Sequence, residues 1–282
     1  MVITGKHSWT RSLGNFLPGY LTSNNILRNL VGKISIILHG STTMGIDDIG
    51  SDLDLWGLVP VKDLTEILES GGVGTFFEFE LGGKLGHINL EPVESFQKRV
   101  ECCDMDTIFQ LRRADVLMDP MGHGSQLVKI ASRPMRREVR DALFFWHYTE
   151  MRSEHRSMDN PVLRKDAVAT MLALAKTLTQ AMRSAMLLDS EPFPYDKWLY
   201  QAAQTTTTGR MVTEGVNRVV GLVSASVLKF ENDSSAVLEK EIKRIRTILI
   251  EKAQERGINE PWLIDWYLYM LQAEAARQSV RW

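Results

Sequence analysis

The chain has 282 residues, of which 44% are apolar and 24% charged; this excludes a disordered polymer and leaves room for one large domain or two ordinary ones. No run approaches the ~20 consecutive apolar residues of a membrane helix, and the N-terminus lacks the apolar core of a secretory signal, so we expect a cytoplasmic protein without a membrane partner. The net charge of −2 comes without basic clusters, which argues against nucleic acid as a partner.

The first half of the chain carries short β-like runs that are separated by glycine-rich turns. Alternating or continuous apolar residues over a few positions are typical of strands. The third and fourth runs are joined by the glycine-rich segment 82–86, which favours an antiparallel hairpin. A short helix is expected at 64–69. The predicted strands are 34–38, 53–59, 76–81, 87–93 and 116–118.

From about residue 135 the pattern changes to apolar residues at three- and four-residue spacing, which indicates helices. We therefore predict an α+β protein, with a mixed sheet and flanking helices in residues 1–132 and an all-helical bundle in residues 133–282. The predicted helices of the second half are 134–155, 161–188, 195–204, 211–228, 234–256 and 261–279. The sequence contains no internal repeat, and no feature of it predicts an oligomeric state.

The segment with the most candidate functional residues runs from the end of the first predicted strand into the second. Gly40 and Ser41 follow the first strand directly, and Asp52-Leu53-Asp54 comes ten residues later. A glycine lets backbone approach a phosphate closely, and the next serine offers both its N–H and its hydroxyl. Two aspartates at i and i+2 of a strand project to the same face. Both carboxylates can then bind one hard cation such as Mg²⁺, which also takes substrate phosphates as ligands.

This pattern resembles the motif of the nucleotidyltransferase superfamily, which includes DNA polymerase β and the bacterial antibiotic nucleotidyltransferases. In that motif a strand is followed by Gly-Ser, ten residues and Asp-x-Asp. The resemblance implies that Asp52 and Asp54 are catalytic metal ligands and that Gly40 and Ser41 hold the nucleotide. It also implies a third carboxylate on a later strand. Glu91 is the candidate, as general base, as metal ligand or as both, with Glu78 and Glu80 as the alternatives.

Two further stretches are similar to elements of the same proteins. Asp119-Pro120-Met121-Gly122 follows the last predicted strand, where these domains commonly carry an Asp-x-x-Gly turn. The run from Pro192 to Trp198 resembles the Pro-Tyr-x-Lys-Trp element of helical C-terminal domains. In that element the lysine is suited to reach the triphosphate, which implies a nucleotide-binding role for Lys197; the alternative is a surface lysine beside a core tryptophan.

The resemblance implies a Mg²⁺-dependent enzyme that transfers a nucleoside monophosphate, AMP from ATP in the first instance, to a hydroxyl and releases pyrophosphate. The implied acceptor is a small molecule of the aminoglycoside or lincosamide type. One alternative keeps the chemistry but modifies a macromolecule, either a protein by AMPylation or an RNA end. The other is a non-catalytic nucleotide-binding regulatory module.

Overall fold

A computed structural model describes residues 6–47, 50–69, 74–225 and 234–282. The described residues fall into two compact units, within Met1–Arg133 and Pro134–Trp282. The first contains a mixed sheet with helices and the second is helical, so the predicted α+β class is confirmed. None of the helices in the described ranges combines the length and the apolar character that crossing a bilayer requires. The predicted division into a catalytic domain and a separate bundle domain stays a prediction.

The sheet of the first unit has five strands in the order β3-β4-β2-β1-β5. The central strand β2 runs antiparallel to β1 and parallel to β4, while β5 pairs antiparallel with the other edge of β1. Four of the five strands begin or end within a residue of the sequence prediction, and β4 begins three residues earlier. The strands are β1 Ser35–His39, β2 Leu53–Val59, β3 Phe76–Leu81, β4 Lys84–Pro92 and β5 Asp115–Met118.

The predicted hairpin between β3 and β4 is confirmed. The two strands pair antiparallel, with Leu81 opposite Lys84, so that only Gly82 and Gly83 form the connection. Both glycines have positive φ, at 60° and 80°, as a type I′ turn requires. This turn fixes the register of β4, and with it the position of every side chain that β4 carries.

Helices cover both faces of the sheet. On one face, α1 buries Leu13, Leu17 and Leu21 against Ile36, Leu55 and other strand residues. On the other face, Trp56 of β2 meets Phe96 of α4 edge to face at 4.7 Å between ring centroids. The helices of this unit are α1 Lys6–Ser23, α2 Ser41–Met44, α3 Val61–Glu69, α4 Val93–Glu101, α5 Met105–Leu111 and α6 His123–Ala131.

The second unit consists of helices and short 3-10 turns around an aromatic core. Tyr148 is fully buried, lies 5.9 Å from the ring of Trp262 and donates its hydroxyl proton to the carbonyl oxygen of Leu263. The helices are α7 Arg137–Ser157, α8 Asp159–Leu163, α9 Ala167–Leu188, α10 Asp196–Gln204, α11 Thr207–Ala225, α12 Ser234–Glu255 and α13 Met270–Ser279. Residues 226–228 of the predicted helix 211–228 lie outside the described residues.

Two of the predicted helices are interrupted. The segment 161–188 divides into α8 and α9 because Lys165 has a φ of 57° and Asp166 then caps α9 by accepting a hydrogen bond from the Ala169 N–H. The segment 261–279 starts with two 3-10 turns, Pro261–Leu263 and Trp266–Leu268, before α13 begins. Both differences concern how a helix begins, which apolar spacing alone does not specify.

Candidate metal centre

Asp52 and Asp54 stand at the start of the central strand. Asp54 is the second residue of β2 and Asp52 immediately precedes the strand. Asp54 and Trp56 share a face because strand side chains alternate, so Asp54 lies on the face that α4 covers further along. The side chains of Asp52 and Asp54 keep 48% and 25% of their accessible surface, so both are within reach of a solvent-borne ligand.

His87 completes the group with these two aspartates. In the parallel pairing of β2 and β4, His87 lies opposite Asp54. Its Nε2 is 2.9 Å from Asp54 Oδ1 and its Nδ1 is 3.6 Å from Asp52 Oδ2. One ligand atom from each of the three residues lies within 4.8 Å of the others. Among the residues that the structure describes, this is the one such group of three or more His, Cys, Asp or Glu side chains.

The turn after β1 brings Gly40 against Asp54. His39, the last residue of β1, pairs with Asp54 across the sheet, and Gly40 follows with φ 79° and ψ −156°. A Cβ at position 40 would lie 2.4 Å from Asp54 Oδ2, so glycine is required both by the backbone conformation and by the carboxylate beside it. Ser41, the first residue of α2, is buried at 4% exposure.

The hydroxyl of Thr42, in the same turn, is buried and has no hydrogen-bond partner among the described residues. Thr43 uses its own hydroxyl to close the turn by donating to the Gly40 carbonyl oxygen at 3.0 Å. Buried polar atoms are normally paired, so the Thr42 hydroxyl is a free donor and acceptor beside Gly40.

His39 is an uncharged residue that packs beside the candidate site. It is partly buried, stacks on Trp56 at 3.7 Å between ring centroids, and its Nδ1 lies 2.8 Å from Gln110 Oε1 of α5. Burial lowers the pKa of His39 to about 3, so the ring is neutral at physiological pH. Gln110 is held in turn by the carboxylate of Asp106 at 3.0 Å. These side-chain contacts connect α5 to β1 and hold the end of the strand that precedes Gly40.

Glu91 is not brought into this group. It lies on the same face of β4 as His87 but four residues along, opposite Leu58, which is about 13 Å at the usual rise of a strand. Its carboxylate pairs with the guanidinium of Arg99 on α4. In the sheet register, Glu78 lies closer to His87 than Glu91 does. It stands directly opposite His87 on β3 and is exposed. The side chain of β4 that lies next to Asp54 is the imidazole of His87, and not the carboxylate of Glu91 that the resemblance implies.

Asp119, in the predicted Asp-x-x-Gly turn, is engaged in holding the fold. Its carboxylate accepts hydrogen bonds from the Ser35 hydroxyl at 2.6 Å and from the N–H groups of Gly124 and Ser125 at the start of α6. Burial raises the pKa of Asp119, but these hydrogen bonds outweigh it and hold the pKa below its ordinary value. The carboxylate therefore anchors α6 to β1.

Lys197 belongs to the second unit, at the start of α10. It is exposed, and its ammonium lies 4.7 Å from the ring centroid of Trp198. The indole N–H of Trp198 donates to the Tyr195 hydroxyl at 2.6 Å, and the neighbouring Asp196 pairs with Arg183 of α9 at 2.8 Å. The side chain is accessible for a phosphate; its role in nucleotide binding stays a prediction.

The donor set fits a single divalent cation. Adjacent ligands of an octahedral ion at about 2.1 Å are separated by about 3 Å, and opposite ones by about 4 Å, so atoms grouped within 4.8 Å need only small side-chain movements to share one ion. Two carboxylates also match the ion's charge. The residues that would hold it are Asp52, Asp54 and His87.

The chain resembles solved structures in its fold but matches no family model. No family model matches the sequence, and no curated protein matches it either. Among solved structures, the fold is similar to that of a nucleotidyltransferase-like protein from Exiguobacterium sibiricum 255-15, with 9% sequence identity and a TM-score of 0.47 over 95% of this chain and 89% of that one.

Proposed function

We propose that this chain is a divalent-cation-dependent nucleotidyltransferase, which moves a nucleoside monophosphate from a nucleoside triphosphate to a hydroxyl. The observation that carries the proposal is the convergence of Asp52, Asp54 and His87 directly beside the Gly40 turn. ATP as the donor, Mg²⁺ as the cation and a small aminoglycoside- or lincosamide-like molecule as the acceptor are taken from the sequence resemblance.

In the proposed reaction the acceptor oxygen forms a bond to the α-phosphorus, the bond from that phosphorus to the bridging oxygen of the β-phosphate breaks, and pyrophosphate leaves. A bound cation supplies charge neutralisation on the phosphate oxygens as they are transferred. Asp52 and Asp54 would hold that cation at the start of β2. Gly40 leaves room for Asp54 and for a phosphate, and the N–H of Ser41 is the group suited to bind the phosphate.

The acceptor proton needs a base. Glu91 is the base that the resemblance implies, but its ion pair with Arg99 and its distance along β4 from His87 argue against that role. Glu78 is the carboxylate that stands opposite His87 and is exposed to the solvent side of the same face. Substitution of each by glutamine separates them, since loss of the base lowers the rate by about 10²-fold or more.

The decisive experiment is pyrophosphate release with each nucleoside triphosphate, a divalent cation and a panel of aminoglycosides, lincosamides and cell extract. Asp54→Asn is expected to lower the rate at least about 100-fold, because the amide cannot neutralise the cation. Glu66→Gln, an exposed acid on α3, is the control and is expected to leave the rate unchanged. Equal release by the wild type and Asp54→Asn would refute the assignment. Labelled nucleotide retained on a protein or RNA of the extract would instead identify a macromolecular acceptor.

A non-catalytic nucleotide-binding module is the second candidate. The observation in its favour is that an imidazole, and not a third carboxylate, stands next to Asp54. This candidate predicts cation-dependent binding of the triphosphate without any pyrophosphate release, on every acceptor of the panel. Calorimetric titration of the nucleotide together with the release assay distinguishes the two functions.

A further inference from the structure

The ligand chemistry of the candidate centre points to the kind of cation that it selects. Mg²⁺ prefers an all-oxygen environment, whereas an imidazole nitrogen raises the affinity for first-row transition metals. We propose that the site of Asp52, Asp54 and His87 selects a transition-metal dication, such as Mn²⁺ or Co²⁺, over Mg²⁺. This inference rests on the proposed function only in that both place a cation on the two aspartates.

The sheet register fixes the nitrogen ligand at this site. His87 lies opposite Asp54 in the parallel β2–β4 pair, and the two-residue turn that joins β3 to β4 sets that register. Its Nε2 contacts Asp54 Oδ1 at 2.9 Å, as in an ion pair, and two neighbouring ligands of one ion are about equally far apart. A shift by one residue would turn His87 to the opposite face, so the register directly determines the ligand set.

Packing holds the ring of His87 in this position. Phe76 of β3 stacks on it at 4.7 Å between ring centroids and an interplanar angle of 28°. The preceding residue, Gly86, faces the opposite side, where a Cβ would lie 2.4 Å from Cζ of Phe79. The ring is therefore only 19% exposed and directed at the aspartates. A ligand that is fixed before the ion binds loses little side-chain entropy on binding.

No carboxylate of the described residues replaces His87 in the group. Glu91 is paired with Arg99 four residues along β4, and Glu78, although opposite His87, is not among the three residues whose ligand atoms converge. A Mg²⁺ ion at this site would have to accept a nitrogen ligand or leave His87 unused. Mn²⁺ and Co²⁺ bind carboxylate and imidazole together without that cost.

The test measures metal affinity and not turnover. Binding of Mn²⁺ alone is followed from the loss of the free-ion EPR signal, and Mg²⁺ is titrated as a competitor, in the full-length wild type and in His87→Asp. We expect the ratio of the Mg²⁺ to the Mn²⁺ dissociation constant to fall about tenfold or more in the variant, because its ligand set is all oxygen. Pulsed EPR of bound Mn²⁺ is expected to show coupling to a ¹⁴N nucleus in the wild type and to lose it in His87→Asp.

His123→Asp is the matched control, because His123 lies in the same unit at the start of α6 and outside the ligand group. It is expected to keep both the affinity ratio and the nitrogen coupling. Circular dichroism confirms that each variant is folded, and His87→Asn replaces His87→Asp if the latter does not fold.

The outcomes separate this inference from the proposed function. An unchanged affinity ratio in the variant, or bound Mn²⁺ without nitrogen coupling in the wild type, overturns the metal preference and leaves a two-aspartate Mg²⁺ enzyme standing. Absence of any binding of Mn²⁺ or Mg²⁺ by the wild type overturns the metal preference and the cation-dependent function together. Loss of nitrogen coupling in His123→Asp as well would also refute the assignment of His87.

Discussion

Gly40 is required both for the backbone conformation of its turn and for the space that the Asp54 carboxylate occupies. Its φ of 79° with ψ near −156° is a combination that essentially only glycine adopts, and a Cβ there would meet Asp54 Oδ2 at 2.4 Å. We expect Gly40→Ala to lower the free energy of unfolding by about 2–4 kcal/mol, because strain and collision add. It should also weaken cation binding, since Asp54 must move. Urea unfolding and Mn²⁺ titration measure the two effects.

Gly45 provides the matched control for Gly40. It also has a positive φ, 71°, but nothing lies within 4 Å of a Cβ built on it. Gly45→Ala is expected to cost about 1 kcal/mol and to leave cation affinity unchanged, because only the left-handed conformation is penalised. Equal effects of the two substitutions would show that the contact with Asp54 contributes nothing.

The ion pair of Glu91 and Arg99 predicts a structural role for Glu91. The Glu91 and Arg99 side chains keep 19% and 40% of their surface, so the pair is partly screened by solvent. Glu91→Gln is expected to lower the free energy of unfolding by no more than about 1 kcal/mol and to change kcat by less than about tenfold. Arg99→Gln should reproduce the effect on stability. A rate loss of about 10²-fold confined to Glu91→Gln would restore its predicted role as the base.

At the scale of single residues, the sequence was sufficient to predict that Gly40, Asp52 and Asp54 lie together, while their roles stay predictions. Asp52, Asp54 and Gly40 are close together because β1 and β2 are consecutive strands that pair antiparallel, which places the end of β1 beside the start of β2. His87 was missed because its approach to Asp54 depends on the β2–β4 register, which is a property of two strands separated by α3 and β3. One signal was available: alternation puts His87, Asn89 and Glu91 on one face, and His87 is the residue at the same end of its strand as the aspartates.

At the scale of elements, the strands were predictable and the helices of the first unit were largely not. Alternating residues such as Phe77 and Phe79 specify a strand directly. The helix α1 was missed because Gly14, Pro18 and Gly19 interrupt its pattern, although its leucines are fully buried. Its stability comes from packing on the sheet and not from helix propensity, so tertiary contacts override the local signal.

The packing of α7 against α9 predicts a pH dependence of stability. His147 of α7 is buried, with its Nδ1 2.6 Å from Gln180 Oε1 of α9. Burial lowers the pKa of His147 to about 3, against about 6.5 in the unfolded chain. Below pH 6.5 the unfolded chain therefore binds a proton that the folded chain excludes, and stability falls as the pH falls toward 3. The expected loss is about 2 kcal/mol at pH 5 for this one residue.

The same reasoning applies to His39 in the first unit, whose pKa burial also lowers to about 3. Urea unfolding between pH 7 and pH 4 measures the combined slope, and His147→Gln is expected to remove the part that belongs to the second unit. A slope that is identical in the wild type and in His147→Gln would contradict the buried, neutral state of His147.

At the scale of the whole molecule, the chain divides at a proline. Residues 1–133 contain the entire sheet together with Asp52, Asp54, His87 and Gly40, and residues 134–282 contain the helical unit. We expect the fragments 1–133 and 134–282 to fold when expressed separately, and the first to bind Mn²⁺ with the affinity of the full chain. Dispersed amide resonances and the EPR titration test this. A fragment 1–133 that folds but does not bind the cation would show that the ligand set is incomplete without the second unit.

Lys197 lies in the second unit and the three candidate metal ligands lie in the first, so the contribution of Lys197 to nucleotide binding can be measured separately from cation binding. If its ammonium contacts the triphosphate as the resemblance implies, Lys197→Ala raises the KM for the nucleotide about tenfold while cation affinity stays unchanged. An unchanged KM would identify it as the surface lysine beside Trp198.

The parallel pairing of β2 with β4 also has a consequence for folding kinetics. A cation on Asp54 and His87 would close a loop of roughly thirty residues that includes α3 and β3. It cannot bind both residues before β4 has docked on β2, and we expect this long-range pairing to form after the transition state for folding. The bound cation should therefore slow unfolding and leave the folding rate almost unchanged. The cation-bound protein would be more stable because it unfolds more slowly, and not because it folds faster.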